Sequence, residues 1–102
     1  MAQLEIIYAI GAREDADRLF SYIIEVSGYY RTGQAFIDRI IGRCERLRDF
    51  PLVGHPRPDI LPNLHTIPFE SVVIAYLLSA KRVEILRIFH GAQDYETLLR
   101  TP

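Results

Sequence analysis

The sequence predicts an α+β fold in which an N-terminal strand and an antiparallel helical hairpin pack on a mainly antiparallel four-stranded sheet, with a short helix at the C-terminus. Two stretches of the N-terminal half repeat apolar residues every three or four positions, as amphipathic helices do. Three apolar stretches of the C-terminal half have the length of strands, and a proline-rich segment separates the two halves. Helices grouped before strands are typical of α+β domains, and 102 residues predict a single domain, residues 1–102.

The first strand and the first helix follow each other closely. Leu4, Ile6 and Tyr8 alternate with their neighbours as in a strand, which Gly11 ends. The helix that follows has an apolar stripe at spacings of three and four, and Gly28 is placed to end it in a left-handed conformation. The stripe consists of Ala12, Ala16, Leu19, Ile23 and Val26. We expect an acidic cluster in the first helical turn, where the helix dipole favours negative charge. This cluster is Glu14, Asp15 and Asp17.

The second helix is predicted from about Thr32 to Phe50, where Pro51 stops it. One face is apolar and is expected to lie in the core. Its members are Phe36, Ile37, Ile40, Cys44 and Leu47, with Ile41 beside them. A different face carries a row of basic side chains at the same spacing. These are Arg39, Arg43 and Arg46. The short turn between the two helices predicts an antiparallel hairpin.

Residues 51–63 contain four of the six prolines and are predicted to be a loop, because proline suits neither a helix interior nor a central strand. Three strands follow it. They are Leu64–Phe69, Ser71–Leu78 and Val83–His90. The second is apolar on both faces, as a covered central strand would be, and Ser79–Arg82 connects it to the third as a hairpin. Asp94 is placed to cap a short helix at Tyr95–Arg100.

Composition excludes several classes of protein. Cys44 is the only cysteine, so an internal disulfide and a multi-cysteine metal site are impossible, and we expect a reducing cytoplasm and neither metal nor cofactor. No apolar stretch approaches the roughly 18 residues that span a bilayer, and no secretion signal is recognisable. The net charge of −1 disfavours direct sequence-specific binding of nucleic acid by this chain alone. Residues 31–57 nevertheless hold six arginines against three acids, which makes a modest basic belt.

Several segments in the same order resemble the ParE/RelE superfamily of toxins, and the ParE branch in particular. The matching segments are the Ala-rich opening of the first helix with Tyr22–Ile23, AFIDRI (35–40), LRDFPLVGHPR (47–57), PNL (62–64), VIAYLL (73–78) and VEILRIFHGAQD (83–94). The last is the most specific, because ParE-like chains typically end their final strand in a sequence such as RVLHGARD. Two positions depart from the family pattern. His65 and Gln93 stand where the family usually has arginine, and both changes remove a fixed positive charge.

The resemblance implies a bacterial toxin of a type II toxin–antitoxin pair of the plasmid-stabilisation kind. Such a toxin is neutralised by a ParD-like antitoxin whose C-terminal segment wraps it as a helix and an extended strand. ParE-like toxins are expected to inhibit DNA gyrase, whereas RelE-like relatives cleave messenger RNA on the ribosome. A third possibility is a fold that has lost toxicity and still binds its antitoxin.

The ribonuclease alternative requires a base, an acid and a cation that binds the phosphate. The candidates are His65, Arg87, His90 and Tyr95. Each also has a structural interpretation: Arg87 can pair with Glu84 or another acid, and His90 can hydrogen-bond to Asp94. His65 is predicted to be a surface residue and Tyr95 a packing residue. The neutral net charge favours the gyrase-directed toxin over the ribonuclease.

Contacts with an antitoxin or a target are expected at positively charged or titratable side chains. The candidates are Arg39, Arg43, Arg46, Arg57, Arg87 and His90. Tyr29 and Tyr30, in the turn between the two helices, are candidates for exposed contacts as well.

Overall fold

The computed structural model describes residues 4–91 and 93–100; Ala92, within the final family-like segment, lies outside the described residues. The predicted order of elements is confirmed. The elements are β1 (Glu5–Tyr8), α1 (Ile10–Ser27), α2 (Tyr30–Glu45), a 3₁₀ turn (Arg46–Arg48), β2 (His55–Pro56), β3 (Leu64–Phe69), β4 (Val72–Leu78), β5 (Arg82–His90) and α3 (Tyr95–Arg100).

Within the described residues the sheet has five strands in the order β1-β5-β4-β3-β2, and the β1–β5 pair alone is parallel. The strand added to the predicted four is β2, a two-residue segment of the proline-rich loop. β2 lies at the edge of the sheet. Proline has no backbone N–H to donate to a neighbouring strand, and an edge strand tolerates this on its outer side. β4 is the central strand, and Ile74, Ala75 and Tyr76 are fully buried within it, as its two apolar faces predict.

The helical hairpin covers one face of the sheet and α3 covers the other. The larger core lies under the hairpin and joins side chains of both helices to β3, β4 and β5. Its most buried members are Ala12, Ile40, Cys44, Leu47, Ile74, Tyr76, Val83 and Ile85. On the opposite face, Leu64, Ala75 and Phe89 form a second cluster against which Tyr95 and Leu99 pack. This double cover explains why β4 and β5 are apolar on both faces.

The first helix starts earlier than predicted, and this changes the role of its acidic residues. α1 begins at Ile10, so its first turn holds no acid and the acidic cluster falls in the second turn. The expected interaction of the cluster with the N-terminal dipole is therefore wrong. Asp15 instead points inward and is only 6% exposed. The end of the helix is as predicted, since Gly28 has a φ of 79° and its N–H bonds to the carbonyl of Ile24.

The second helix is shorter at its end than predicted. Regular α-helix stops at Glu45, and the chain tightens into the 3₁₀ turn, in which Asp49 and Phe50 both donate to the carbonyl of Arg46. Pro51 disfavours a helical conformation for Phe50, which accounts for the loss of the last α-helical turn. Cys44 is fully buried, and this burial raises the pKa of its thiol to about 12. Its predicted role as a small core residue is confirmed.

Candidate functional site

A groove between α1 and α2 is the larger of the concave surfaces near the helical hairpin. The helices approach closely near their connection, where a Cβ atom on Gly33 would lie 3.3 Å from the carbonyl oxygen of Phe20. Farther from the connection they enclose a groove of about 510 Å³. Its lining comprises Tyr8, Ala12, Arg13, Ala16, Asp17, Ile37, Ile40, Ile41 and Ile88. Small alanines on α1 facing isoleucines on α2 make an apolar cleft of the kind that takes an amphipathic peptide.

A polar cluster joins α1 to β5 beside this groove. The carboxylate of Asp15 accepts two hydrogen bonds from Arg87, from Nε at 2.7 Å and from Nη2 at 3.0 Å. The same carboxylate accepts the backbone N–H of Ile88 at 2.8 Å and Nη2 of Arg18 at 2.8 Å. Burial alone raises the pKa of Asp15, but these hydrogen bonds outweigh it and hold the pKa below its usual value. Asp15 is therefore an ionised anchor between helix and sheet.

Arg87 is fixed by this cluster. Besides the bidentate pair with Asp15, its guanidinium carbon lies 4.8 Å from the centroid of the Phe89 ring. The predicted pairing with an acid is thus confirmed, and the partner is Asp15 rather than the sequence neighbour Glu84. A guanidinium that already holds a carboxylate in its two-pronged geometry is not preorganised to hold a phosphate.

His90 lies at the end of β5 beside a second cavity. This cavity measures about 250 Å³ and is lined by Asp15, Arg18, Leu19, Tyr22, Ile88, His90 and Gln93. The His90 ring lies 5.2 Å from the ring of Tyr22, centroid to centroid. The turn after β5 is held by Gln93, whose side chain accepts the N–H of His90, and not by the predicted contact of His90 with Asp94. Asp94 caps α3 as predicted, accepting from the N–H and hydroxyl of Thr97.

His65 is buried, with an exposure of 9%, so its predicted surface position is wrong. Its ring stacks on Tyr76, with centroids 5.3 Å apart and an interplanar angle of 15°. Its Nδ1 donates to the carbonyl of Asn63 at 3.2 Å. Because β3 begins at Leu64 and His65 pairs with Tyr76 of the central strand, the side chain belongs to the sheet and not to the proline-rich loop.

Tyr76 ties the proline-rich loop to the sheet. Its hydroxyl donates to the carbonyl of Pro51 at 2.7 Å and accepts the N–H of Gly54 at 3.0 Å. A Cβ atom on Gly54 would collide with that hydroxyl, so glycine is required there by close approach. From this anchored loop Phe50, Leu52 and Val53 project into solvent, with exposures of 64%, 76% and 54%.

The basic candidates differ in whether their guanidinium groups form ion pairs within the chain. Arg57 is only 14% exposed and binds both Asp59 and Glu96, which links the proline-rich loop to α3. Arg39 of α2 forms a bidentate pair with Glu70, which lies in the turn between β3 and β4.

Arg43 and Arg46 form no ion pair with a carboxylate within residues 4–91 and 93–100. They are the candidates of this helix face whose charge remains available to a partner. At the other end of the hairpin, Tyr29 and Tyr30 are 69% and 65% exposed.

The four ribonuclease candidates are distributed over three elements, β3, β5 and α3. His65 lies on β3 and Arg87 and His90 on β5, with β4 between the two strands. Tyr95 packs on the second core, its ring 6.0 Å from that of Phe89. Over the described ranges, no group of three or more histidine, cysteine or acidic side chains is arranged to hold a metal ion. No helix of that part of the chain is long and apolar enough to cross a membrane.

The sequence does not predict the structural roles of Asp15, Gly54 and Tyr76. The burial of Asp15 is nevertheless indicated by its spacing, since it stands three positions after Ala12 and four before Leu19 and therefore lies on the apolar stripe of α1. Gly54 and Tyr76 have no such indication, because only the fold brings a loop glycine against a residue of the central strand.

Comparisons with known proteins agree on one family. Residues 6–95 match the family model described as the ParE toxin of the type II toxin–antitoxin system, parDE. The chain is 35% identical over 80 residues to Toxin ParE3 of Caulobacter vibrioides, covering 78% of this chain and 79% of that protein. It also resembles a chain in a solved structure of the chromosomal ParDE TA system from P. aeruginosa, with a TM-score of 0.74 and 19% identity, over 86% of this chain and 96% of that one.

Proposed function

The chain belongs to the family of ParE toxins of type II toxin–antitoxin systems, and on this premise we propose that it inhibits DNA gyrase and is neutralised by a ParD-like antitoxin. On this proposal it acts by binding other proteins and catalyses no reaction of its own. Family membership supports the toxin role, and the arrangement of the polar side chains supports the mode of action.

The observation that carries the proposal is the engagement of Arg87. A ribonuclease of this fold needs a cation free to stabilise the phosphate in the transition state. Arg87 is the candidate cation, and both prongs of its guanidinium bind the buried carboxylate of Asp15. His65, the candidate on β3, is stacked on Tyr76 and is nearly inaccessible to a nucleotide. These contacts favour inhibition by protein binding over RNA cleavage.

The groove between α1 and α2 is the surface we assign to the antitoxin. Its apolar lining suits the apolar face of an amphipathic helix, and Ile41 is 43% exposed at this site. Arg13 and Asp17 of the lining offer one charge of each sign to the polar face of such a helix. The free charges of Arg43 and Arg46 are then available to the antitoxin or to gyrase.

The decisive experiment compares two activities of the purified protein. We expect it to inhibit gyrase supercoiling and to accumulate cleaved DNA, and to leave messenger RNA intact in a translation extract. A ParD-like antitoxin added in equimolar amount is expected to restore supercoiling. Cleavage of messenger RNA with gyrase unaffected would contradict the proposal and support the ribonuclease. Inactivity in both assays together with tight antitoxin binding would identify a toxin fold that has lost its toxicity.

Variants of exposed residues test the assigned surfaces. Ile41→Glu puts a charge into the groove and is expected to weaken antitoxin binding at least tenfold, because a buried unpaired charge is strongly unfavourable. Val26→Glu is the matched control, because Val26 is 67% exposed on α1 and does not line the groove. Equal losses in both variants would contradict the groove assignment. Charge reversal at Arg43 and Arg46 that changes neither antitoxin affinity nor gyrase inhibition would remove this face from the proposal.

A further inference from the structure

The turn at the start of the proline-rich loop presents apolar side chains to solvent. Phe50, Leu52 and Val53 belong to this one turn, which the N–H of Val53 closes on the carbonyl of Phe50 at 3.4 Å. Leu52 is 76% exposed, the highest value among the large apolar side chains of the described residues. An exposed group of apolar side chains is typical of a binding surface. We call Phe50, Leu52 and Val53 the loop tip.

The loop tip is held in place by the sheet and by the end of α2. The hydroxyl of Tyr76 bonds to the turn on both sides of its most exposed residue, through the carbonyl of Pro51 and the N–H of Gly54. The N–H of Phe50 donates to the carbonyl of Arg46 at 3.2 Å. A surface that is fixed before binding loses little conformational entropy when a partner covers it.

Positive charge borders the loop tip. Arg46 precedes Phe50 by about one helical turn. Burial raises the pKa of the Tyr76 hydroxyl, and the charge of Arg43 lies close enough to oppose this increase. Neither arginine forms an ion pair with a carboxylate in the part of the chain that the structure describes. Since the two arginines outnumber the adjacent Asp49, the loop tip fits an apolar recess that has a negative charge at its rim.

The groove between α1 and α2 is a recess of this kind. Its volume of about 510 Å³ lies in the range of roughly 300–1,000 Å³ that buries drug-sized molecules, so it has room for the side chains of the loop tip. Of the charged residues in its lining, Arg13 donates to the carbonyl of Tyr8 at 3.2 Å. Asp17 is exposed and forms no ion pair over the described ranges. Asp17 therefore offers a carboxylate to the cations of a partner.

The loop tip and the groove of one chain lie on opposite flanks of α2. Two residues along an α-helix change direction by about 200°, so Arg43 points away from Ile41, which lines the groove. The loop tip is on the Arg43 flank, because its turn and Arg43 both lie near the Tyr76 hydroxyl. A loop tip that enters this groove therefore enters the groove of a second copy.

We propose that the chain self-associates head to tail, with the loop tip of one copy in the groove between α1 and α2 of the next, and Arg43 and Arg46 facing Asp17. Because the two surfaces lie on opposite flanks of α2, the contact does not close on itself and extends beyond a dimer. The contact is smaller than the roughly 20–30 residues per partner of a stable interface, so the association is weak. This inference does not rest on the proposed function, because self-association requires no other protein.

Two variants that are defective on opposite surfaces provide the test. Leu52→Glu places a charge on the loop tip, and Ile41→Glu places one in the groove. We expect the average mass of the wild type in sedimentation velocity to rise beyond that of a dimer between about 0.1 and 1 mM, as suits a small interface. Each variant alone should remain monomeric, because burying an unpaired charge is strongly unfavourable. An equimolar mixture should form a heterodimer and nothing larger, because it retains one intact loop tip and one intact groove.

Leu52→Met and Val26→Glu are the controls, and both should associate as the wild type does. Methionine keeps the loop tip apolar, and Val26 is 67% exposed outside both surfaces. Circular dichroism should show that every variant is folded.

Four outcomes would overturn the inference. The wild type could stay monomeric over the whole concentration range, or it could stop at a dimer. The mixture of Leu52→Glu and Ile41→Glu could stay monomeric while the wild type associates. Finally, Val26→Glu could lose as much association as the two surface variants, which would show that any added charge disperses the protein.

Discussion

Replacing Asp15 with asparagine tests the contact that joins α1 to β5. The carboxylate accepts four hydrogen bonds, two from Arg87 and one each from Arg18 and the N–H of Ile88. Asparagine keeps the volume of the side chain but removes its negative charge. It also directs an amide N–H₂ group, which is a donor, towards the donor groups of the guanidinium. Breaking a buried ion pair by removing one partner destabilises a protein by about 3–5 kcal/mol. Because the Arg87 side chain is 29% exposed and can be partly solvated, we expect a smaller loss of about 2–3 kcal/mol.

The measurement is urea unfolding followed by circular dichroism, supported by thermal melting. For a domain of this size the expected loss lowers Tm by roughly 10–20 °C. Asp17→Asn is the matched control, because Asp17 lies in the same helical turn, is exposed, and should change the free energy of unfolding by less than about 0.5 kcal/mol. A result in which both variants lose the same stability would refute the anchoring role of Asp15.

The same carboxylate predicts a dependence of stability on pH. Its hydrogen bonds hold the pKa of Asp15 lower in the folded protein than in the unfolded chain. The contribution of Asp15 to the free energy of unfolding is therefore complete above its pKa in the unfolded chain, about 4. That contribution is lost as the pH falls through its pKa in the folded protein. In Asp15→Asn this part of the acid sensitivity should be missing, so the difference in stability between wild type and variant should shrink with acidification. A difference that stays constant down to the acid transition would contradict this.

Two further predictions concern packing. Gly54→Ala should destabilise the protein by about 1–3 kcal/mol in urea unfolding, because the added methyl group collides with the hydroxyl of Tyr76. Gly42→Ala is the control and should stabilise the protein by up to about 1 kcal/mol, because α2 has open space at that position and alanine favours helix. A similar effect of both substitutions would contradict the close contact between Gly54 and Tyr76. Cys44 should resist alkylation by iodoacetamide at mildly alkaline pH while the protein is folded and react readily in concentrated guanidinium chloride, because burial raises the pKa of its thiol to about 12. Rapid alkylation of the native protein would show that the core under α2 opens.

The elements of this protein could be predicted from the sequence because their signals are local. The spacing of apolar residues identified both helices, Gly28 marked the end of the first, and β3 and α3 were predicted with the observed bounds. The apolar faces of β4 predicted its central place in the sheet, which the strand order confirms. Family-like segments distributed from α1 to the end of β5 were enough to identify the family, because they combine short local patterns in a fixed order.

The partners of the polar side chains were decided only by the tertiary structure. Asp15 and Arg87 are 72 positions apart, and no periodicity indicates that one carboxylate will meet that guanidinium and the N–H of Ile88. The sequence predicts a surface position for His65 because it follows a proline-rich loop, yet pairing of β3 with β4 stacks it on Tyr76. Apolar burial is non-directional and leaves a repeating pattern along the chain. Hydrogen bonds and ion pairs depend on distance and angle between groups that the chain brings together only when the helices and strands have packed.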